Sequence, residues 1–169
     1  FDMVSAKIIE KAGFEALYLS GFGQSASHLG LPDAGLMTLT EVVERVHHMA
    51  TAVNLPLLAD GDTGYGGIVN VRRTVQEFEW AGASAIQLED QEMPKKCGHT
   101  GGKTLIDARE MVLKIEAATA PTSIETTKNE TTRIIAFPYI LQNLNNYNHG
   151  QNQEMNQSQH FRRHNLLTY

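Results

Sequence analysis

Three loops in this chain hold residue types that can do chemistry. The first is Asp60-Gly61-Asp62-Thr63-Gly64-Tyr65-Gly66-Gly67, with two carboxylates flanking a glycine. Glycine lets the backbone turn tightly, so both carboxylates can face one point. Hard oxygen ligands with room left for water and substrate suit Mg2+. An EF-hand reading fails, because position twelve of such a loop would be Val71, which cannot chelate. A polar turn capped by aspartate is the plain alternative, and the doublet with four glycines weighs against it. The second loop, Glu89-Asp90-Gln91, is acidic; Glu89 on the same rim would complete an acidic neighbourhood for a metal. The third, Lys95-Lys96-Cys97-Gly98-His99-Thr100-Gly101-Gly102-Lys103, carries the one cysteine of the chain. A lone cysteine is most often an inert buried hydrophobe. Here nearby lysines and a protonated histidine favour the thiolate, which predicts a thiol able to exchange a proton near neutral pH. One cysteine rules out a CxxC redox pair and any internal disulfide. With only His99 nearby, a zinc site is not expected. His28, His47 and His48 read as ordinary residues, the last two on a helix that also carries Val46 and Met49.

The elements that must position these loops alternate between helix and strand. Helices are predicted at Ser5–Ala12, stopped by Gly13, and after Thr38, where Thr38-Leu39-Thr40-Glu41 forms a capping box. That second helix buries Val42, Val43, Val46, Met49, Ala50 and Val53 at helical spacing. A third helix starts at Asn70 and stops at Gly82, and a fourth opens at Asp107 and Glu110. Short apolar runs at 16–19, 55–59 and 85–88 read as strands ending at Ser20, Asp60 and Glu89. Strands that return after intervening helices imply βα units and a parallel sheet. The carboxyl ends of such strands share one rim, which carries the active site of a (β/α)8 barrel and the ligand of a doubly wound sheet. Three strands do not separate these two architectures. No GxGxxG follows a strand, which counts against a dinucleotide fold.

Composition narrows the field. With 169 residues there is room for about one domain. The formal charge of −5 argues against a nucleic-acid binder. No apolar run reaches the length of about 18–20 residues that a membrane span needs, so no membrane partner is expected. Residues 1–120 hold 13 of the 14 glycines, with ten basic and sixteen acidic residues; residues 121–169 hold one glycine, eight Asn and five Gln. Beyond the apolar patch Ile134–Leu141, interrupted by Pro138, that tail has no periodicity, and disorder is the expectation for it. The triplets Asn129-Glu130-Thr131 and Asn156-Gln157-Ser158 match a glycosylation pattern by accident.

The string Lys95-Lys96-Cys97-Gly98-His99, preceded by Glu89-Asp90-Gln91 and Asp60-Gly61-Asp62-Thr63-Gly64-Tyr65-Gly66, resembles the isocitrate lyase/phosphoenolpyruvate mutase superfamily. Phe1-Asp2, Ser5-Ala6, Gly13-Phe14-Glu15-Ala16, Leu19-Ser20-Gly21 and Leu29-Gly30-Leu31-Pro32-Asp33 continue the match through residues 1–120. Without long insertions, the chain is most similar to the short methylisocitrate lyase branch. The resemblance implies a Mg2+-dependent (β/α)8 enzyme, with Mn2+ able to substitute, that cleaves or forms a bond beside a 2-oxo acid. It implies that Asp60 and Asp62 bind the metal with Glu89 in its shell. Ser20, Gly21, Phe22 and Asp33 would hold the substrate, a small carboxylic acid. Cys97 would protonate the carbanion left by retro-aldol cleavage, and Gly98 and His99 would grip a carboxylate. Retro-aldol cleavage generates an enolate, which a divalent cation stabilises electrostatically. Phosphonomutases of the superfamily typically lack this cysteine, so Cys97 favours a carbon–carbon lyase. Hydrolases and lyases of oxaloacetate or substituted malates share the cysteine string and stay open as alternatives, as does a non-catalytic fragment.

The match ends near Ala120, whereas a full barrel takes about 250 residues. The expectation is therefore a partial barrel of about three βα units over 1–120. The segment preceding Phe1-Asp2, which would carry the first strand, is not in the sequence, and no strand is expected after Ile124. Residues 121–169 are expected to lie outside the ancestral barrel, as after a frameshift, a read-through intron or an alternative splice. On that expectation the chain alone gives no turnover, and the homo-oligomer that the resemblance implies for the family is not expected of the fragment.

Overall fold

A computed structural model describes residues 1–120 and the backbone of Arg133–Phe137. Helix α1, Met3–Lys11, starts two residues before the predicted position because Asp2 caps it, its Oδ1 accepting from Ser5 N at 2.7 Å. Strand β1, Leu17–Leu19, leads into a short helix α2, Gly21–Gln24, that sequence periodicity does not reveal, and a π-helical turn over Ser25–Leu29. Helix α3, Leu39–Ala52, carries the expected capping box: Thr38 N donates to Glu41 Oε2 at 2.7 Å and Glu41 N to Thr38 Oγ1 at 3.4 Å. Strand β2 is Leu57–Asp60, and helix α4 runs Ile68–Ala81. Its cap is Gly67, not Asn70. Asn70 sits one turn in and reaches back, its Oδ1 accepting from Gly67 N at 3.2 Å. Strand β3 is Ala85–Glu89, and helix α5, Ala108–Thr119, opens on Asp107, whose Oδ1 accepts from Arg109 N at 2.8 Å.

A fourth strand, β4 (Arg133–Phe137), corrects the expectation that none follows Ile124. It pairs parallel with β3, Ile86 opposite Ile134 and Glu89 opposite Phe137. The β-branched pair Ile134-Ile135 suits a strand, and Pro138, which cannot donate to a ladder, stands just past its end. The remaining expectations for 121–169 lie outside the described residues.

The sheet is parallel throughout, in the order β1-β2-β3-β4. Right-handed crossovers taken in sequential order put every crossover helix on the same face. The strand residues agree. Leu17, Leu19, Leu57, Ala59, Ile86 and Leu88 are buried, while the alternating Tyr18, Leu58, Ala85 and Gln87 stay half-buried or exposed. One covered face and one open face describe a segment of barrel wall, not a doubly wound sheet, which needs helices on both sides. Under the covered face lie Val42, Val46 and Met49 of α3, Val71, Val75 and Phe78 of α4, and Met111 and Ala118 of α5. No helix among the described residues is long and apolar enough to cross a membrane.

Phe78 is fully buried, whereas Val69 on the same helix is 85% exposed. Phe78→Ala is expected to lower stability by about 3–5 kcal/mol and Val69→Ala by less than about 0.5 kcal/mol, read from urea denaturation midpoints. Equal effects would show that α4 does not pack as described.

Candidate active site

Parallel pairing brings the strand ends Ser20, Asp60 and Glu89 to one rim. Ser20 caps α2, its Oγ accepting from Gly23 N at 3.4 Å, and the first amide of that helix, Gly21 N, donates to Asp60 Oδ2 at 3.0 Å. A Cβ on residue 21 would stand 2.9 Å from that same oxygen, so the contact requires glycine. Tyr18 Oη donates to Asp60 Oδ2 at 3.3 Å and to Gln87 Oε1 at 3.2 Å, spanning three strands on the open face. The other oxygen of Asp60 accepts from Asp62 N at 3.0 Å. Asp60 is thus oriented from both sides.

After Asp60 the backbone turns through four residues of positive φ: Asp62 at 54°, Gly64 at 93°, Tyr65 at 56° and Gly66 at 141°. For L-residues the left-handed region costs roughly 1–2 kcal/mol each. Tyrosine in particular rarely adopts it. Here the Tyr65 ring packs against Phe78, the ring centroids 6.4 Å apart. The turn aims Asp62 toward Asp33 and Lys95. The Lys95 ammonium, buried, lies 2.7 Å from Asp33 Oδ1 and 3.0 Å from Asp62 Oδ1. The contact with Asp62 is an ion pair without hydrogen-bond geometry, which leaves Asp62 Oδ1 buried with no directed partner. Glu89 N donates to Asp62 O at 2.8 Å, and Glu89 Oε2 accepts from Gln91 Nε2 at 2.8 Å.

Gln91 also fastens the thiol loop: its Nε2 donates to Lys96 O at 2.9 Å and its Oε1 accepts from Lys96 N at 3.0 Å. The loop holding Cys97, Gly98 and His99 therefore starts at the acidic rim, tied by Lys95 on one side and Gln91 on the other. Each lysine of the thiol loop has acceptors of its own. Lys95 is committed to the aspartates, Lys96 Nζ donates to Gly102 O at 2.7 Å, and Lys103 Nζ donates to Gly98 O at 2.7 Å and Thr100 O at 2.8 Å. The group in contact with the sulfur is His99, with Nδ1 3.6 Å from Sγ. Lysines bond carbonyls of their own loop because a short glycine-rich turn leaves those acceptors unpaired.

Gly21, Asp33, Asp60, Asp62, Gln24 and Tyr65 line one cavity. Ser20, Phe22, Glu89, Cys97, Gly98 and His99 do not line it, and the Phe22 side chain is exposed. The positions of Lys95 between two aspartates, of Gln91 on the thiol loop and of Tyr18 on Asp60 are not expected from the sequence. Lys95 looks the same as its neighbour Lys96 in the sequence. Tyr18 carried a weak signal, as the one polar-tipped residue on the open side of β1.

Burial pushes the Asp62 carboxyl up to about 6, Lys95 opposing and Asp60 and Asp33 adding to the rise. Burial likewise pushes Glu89 up to about 7, again against Lys95 and helped by Asp60. At Lys95 burial works against the charge, but Asp62, Asp33 and Glu89 outweigh it and hold the ammonium above its ordinary value. The Tyr65 phenol is raised by burial and then by the three aspartates, and stays neutral.

The two raised carboxyls set a pH dependence. Each binds its proton more tightly folded than unfolded, where 3.8 and 4.5 are the ordinary values. Their stabilising contribution is complete below about pH 4 and is lost as pH rises through 6 to 7. Asp2 and Glu41, held down by backbone amides of Ser5 and Thr38, run the other way only in more acidic solution. Without divalent cations, the calorimetric midpoint should fall from pH 5 to pH 7.5, and less steeply in Asp62→Asn. A midpoint rising over that range would refute the burial assigned to Asp62 and Glu89.

The family model described as phosphoenolpyruvate phosphomutase matches residues 1–130. The chain is 56% identical over 117 residues to a 2,3-dimethylmalate lyase of Eubacterium barkeri, covering 69% of this chain and 40% of that protein. It is 51% identical over 125 residues to a 2-methylisocitrate lyase of Halalkalibacterium halodurans, covering 73% and 41%. Its fold superposes on a crystal structure of 2,3-dimethylmalate lyase with a TM-score of 0.75 at 36% identity, covering 84% of this chain and 46% of that one. A phosphonopyruvate hydrolase complex with oxalate and Mg++ gives 0.70 at 36% identity, covering 83% and 46%. The chain spans about two fifths of the length of the curated relatives it matches. Sequence, sheet order and the matched span agree, and the chain belongs to the phosphoenolpyruvate mutase/isocitrate lyase superfamily.

Proposed function

We propose that this chain carries the metal-and-acid part of a Mg2+-dependent carbon–carbon lyase site for 2-hydroxy acids of the methylisocitrate, isocitrate or substituted-malate type. One observation supports this reading above the others. Buried Lys95 joins Asp33 and Asp62 two residues before Cys97, so the proton-donor loop and the paired aspartates occupy the same rim. Relatives named as lyases favour the carbon–carbon cleavage, and a hydrolase neighbour whose crystal structure is a complex with oxalate and Mg++ favours the metal.

The residues suit Mg2+. Among the described residues no three His, Cys, Asp or Glu side chains close on one point. Mg2+ does not need such a cage, because it keeps several waters and takes one or two carboxylates. Asp60 and Asp62 would hold it, with Glu89 behind them, and the buried Asp62 Oδ1, ion-paired with Lys95 but accepting no hydrogen bond, is a hard oxygen of the required kind. Bound there, Mg2+ supplies electrostatic stabilisation for the oxyanion and enolate charge of the reaction.

The reaction balances on the remaining groups. The substrate hydroxyl gives its proton to water at the open rim and becomes the carbonyl of the departing 2-oxo acid, and the adjacent C–C bond breaks. Its electron pair stays on the carbon beside the other carboxylate. Cys97 protonates that carbon, and His99, in contact with the sulfur, orients the thiol and returns its proton. Ser20, at the end of β1, lies on the rim where a substrate carboxylate would bind, while Gly21 N holds Asp60 in place there. Asp33, ion-paired with Lys95, lines the same cavity. A proton donor at Cys97 favours the lyase over the phosphonomutase reading.

Because the chain spans two fifths of its relatives, metal binding and turnover are expected to separate. Mg2+ should raise the thermal midpoint saturably, more at pH 7.5 than at pH 5, where protons compete for Asp62 and Glu89. Asp60→Asn should abolish the rise. No saturable shift in the wild-type chain refutes the metal reading. In a coupled assay with 2-methylisocitrate, isocitrate and 2,3-dimethylmalate, the chain alone should release no pyruvate or glyoxylate. Mg2+-dependent release abolished by Cys97→Ser would show that the described strands suffice; release that persists in Cys97→Ser would refute the role given to Cys97.

A further inference from the structure

The loop from Asp60 to Gly67 is held in a backbone it would not adopt alone, with Asp62 and Tyr65 both left-handed. Such residues persist only where their surroundings over-determine them. Two side chains supply that constraint from beneath. Thr74 of α4, with no exposed surface, donates its Oγ1 to Gly64 O at 2.9 Å. Lys114 of α5, 5% exposed, donates its Nζ to Thr63 O at 3.2 Å. These carbonyls belong to the two residues between Asp62 and Tyr65, so the bonds fix the peptide planes that join the left-handed pair.

Lys114 is out of place by the rules of helix packing. It lies on the buried stripe of α5 with Met111 and Ala118. An aliphatic side chain there would fill the space without desolvating an ammonium. Among the described residues, its hydrogen-bond partner is the Thr63 carbonyl, a neutral group. A local rule broken directly behind a candidate site signals a constraint from that site. Packing alone does not explain a buried cation on a carbonyl; holding that carbonyl does.

We propose that Lys114 and Thr74 are positioning residues that lock the Asp60–Gly67 loop and so aim the Asp62 carboxylate at the rim. Without them the peptide planes at 63 and 64 can rotate, Asp62 and Tyr65 relax from the left-handed region, and the Asp62 carboxylate leaves Lys95. The consequence for metal affinity rests on the Mg2+ reading above; the positioning does not.

Backbone hydrogen exchange read by mass spectrometry tests the two separately. The amides of Gly61, Asp62 and Gly64 are bonded in the locked loop, to Gln87 O, Asp60 Oδ1 and Gly61 O. In Lys114→Met and in Thr74→Val, exchange over 60–67 should speed at least tenfold while β3 and the centre of α4 keep wild-type rates. Thr74→Ser, which restores the hydroxyl, should return the slow rate. Mn2+ affinity read by electron paramagnetic resonance should fall about tenfold in the first two variants. Unchanged exchange over 60–67, or loosening spread evenly over the sheet, overturns the proposal. If Lys114→Met does not fold, the Thr74→Val and Thr74→Ser pair decides. A wild-type chain that binds no Mn2+ refutes the metal reading and leaves the exchange result to decide the positioning.

Discussion

A lysine ammonium sealed between two aspartates is the interaction on which the rim depends. Taking three charges out of water is expensive, and their attraction offsets that cost only where geometry is close and other polar atoms are satisfied. Lys95 meets Asp33 closely, yet its approach to Asp62 is not along a hydrogen-bond direction. The triad is therefore asymmetric. Asp33 is the nearer partner of the ammonium, while Asp62 Oδ1 is attracted to it and accepts no hydrogen bond. Removing Lys95 would leave two buried carboxylates facing each other and the thiol loop without its anchor. The same charge that lets the acids be buried also fixes where residue 97 begins.

The sheet makes this triad possible by simple geometry. Parallel strands in sequential order put three loops side by side at one rim, with all crossover helices on the far face. The loop after β1 brings Gly21 onto Asp60. The loop after β2 turns through left-handed residues to present Asp62, and the loop after β3 returns Lys95 over both. Helices α4 and α5 do more than cover the strands, since each sends one polar side chain up to the second loop. The open face keeps Tyr18 and Gln87 bonded to one another across β2, where the interior of a closed barrel would lie.

Cys97 shows how the surroundings of a reactive group depend on chain geometry as well as sequence neighbours. Three lysines flank it in the sequence, but Lys95 and Lys96 direct their ammonium groups to aspartates and to a carbonyl, and Lys103 bonds two carbonyls of the loop. A flexible four-carbon stem lets lysine reach whichever acceptor is strongest. A carboxylate or an unpaired carbonyl is a stronger acceptor than a neutral thiol. The imidazole of His99, two residues on, meets the sulfur because its short side chain cannot reach much further.

Residue order alone made much of this legible. The capping box at Thr38, the apolar stripes of α3 and α4, the strand ends at Asp60 and Glu89, and the family likeness all rest on local rules: period, cap and turn chemistry, and motif spacing. Each is set within a few residues along the chain, so one-dimensional reading reaches it. The caps are where local reading misses: Gly67 starts α4 a turn before Asn70, and Asp2 caps α1 so that it starts at Met3, two residues before Ser5. The rest depended on approach in space. Which of two adjacent lysines would be buried, which sulfur neighbour would make contact, that β4 would pair beside β3, and that Lys114 and Thr74 would converge on successive carbonyls are set by how strands and helices pack. Ion pairs and hydrogen bonds fall off over a few ångströms, and residues 33, 62 and 95 come within that range only when the sheet has formed.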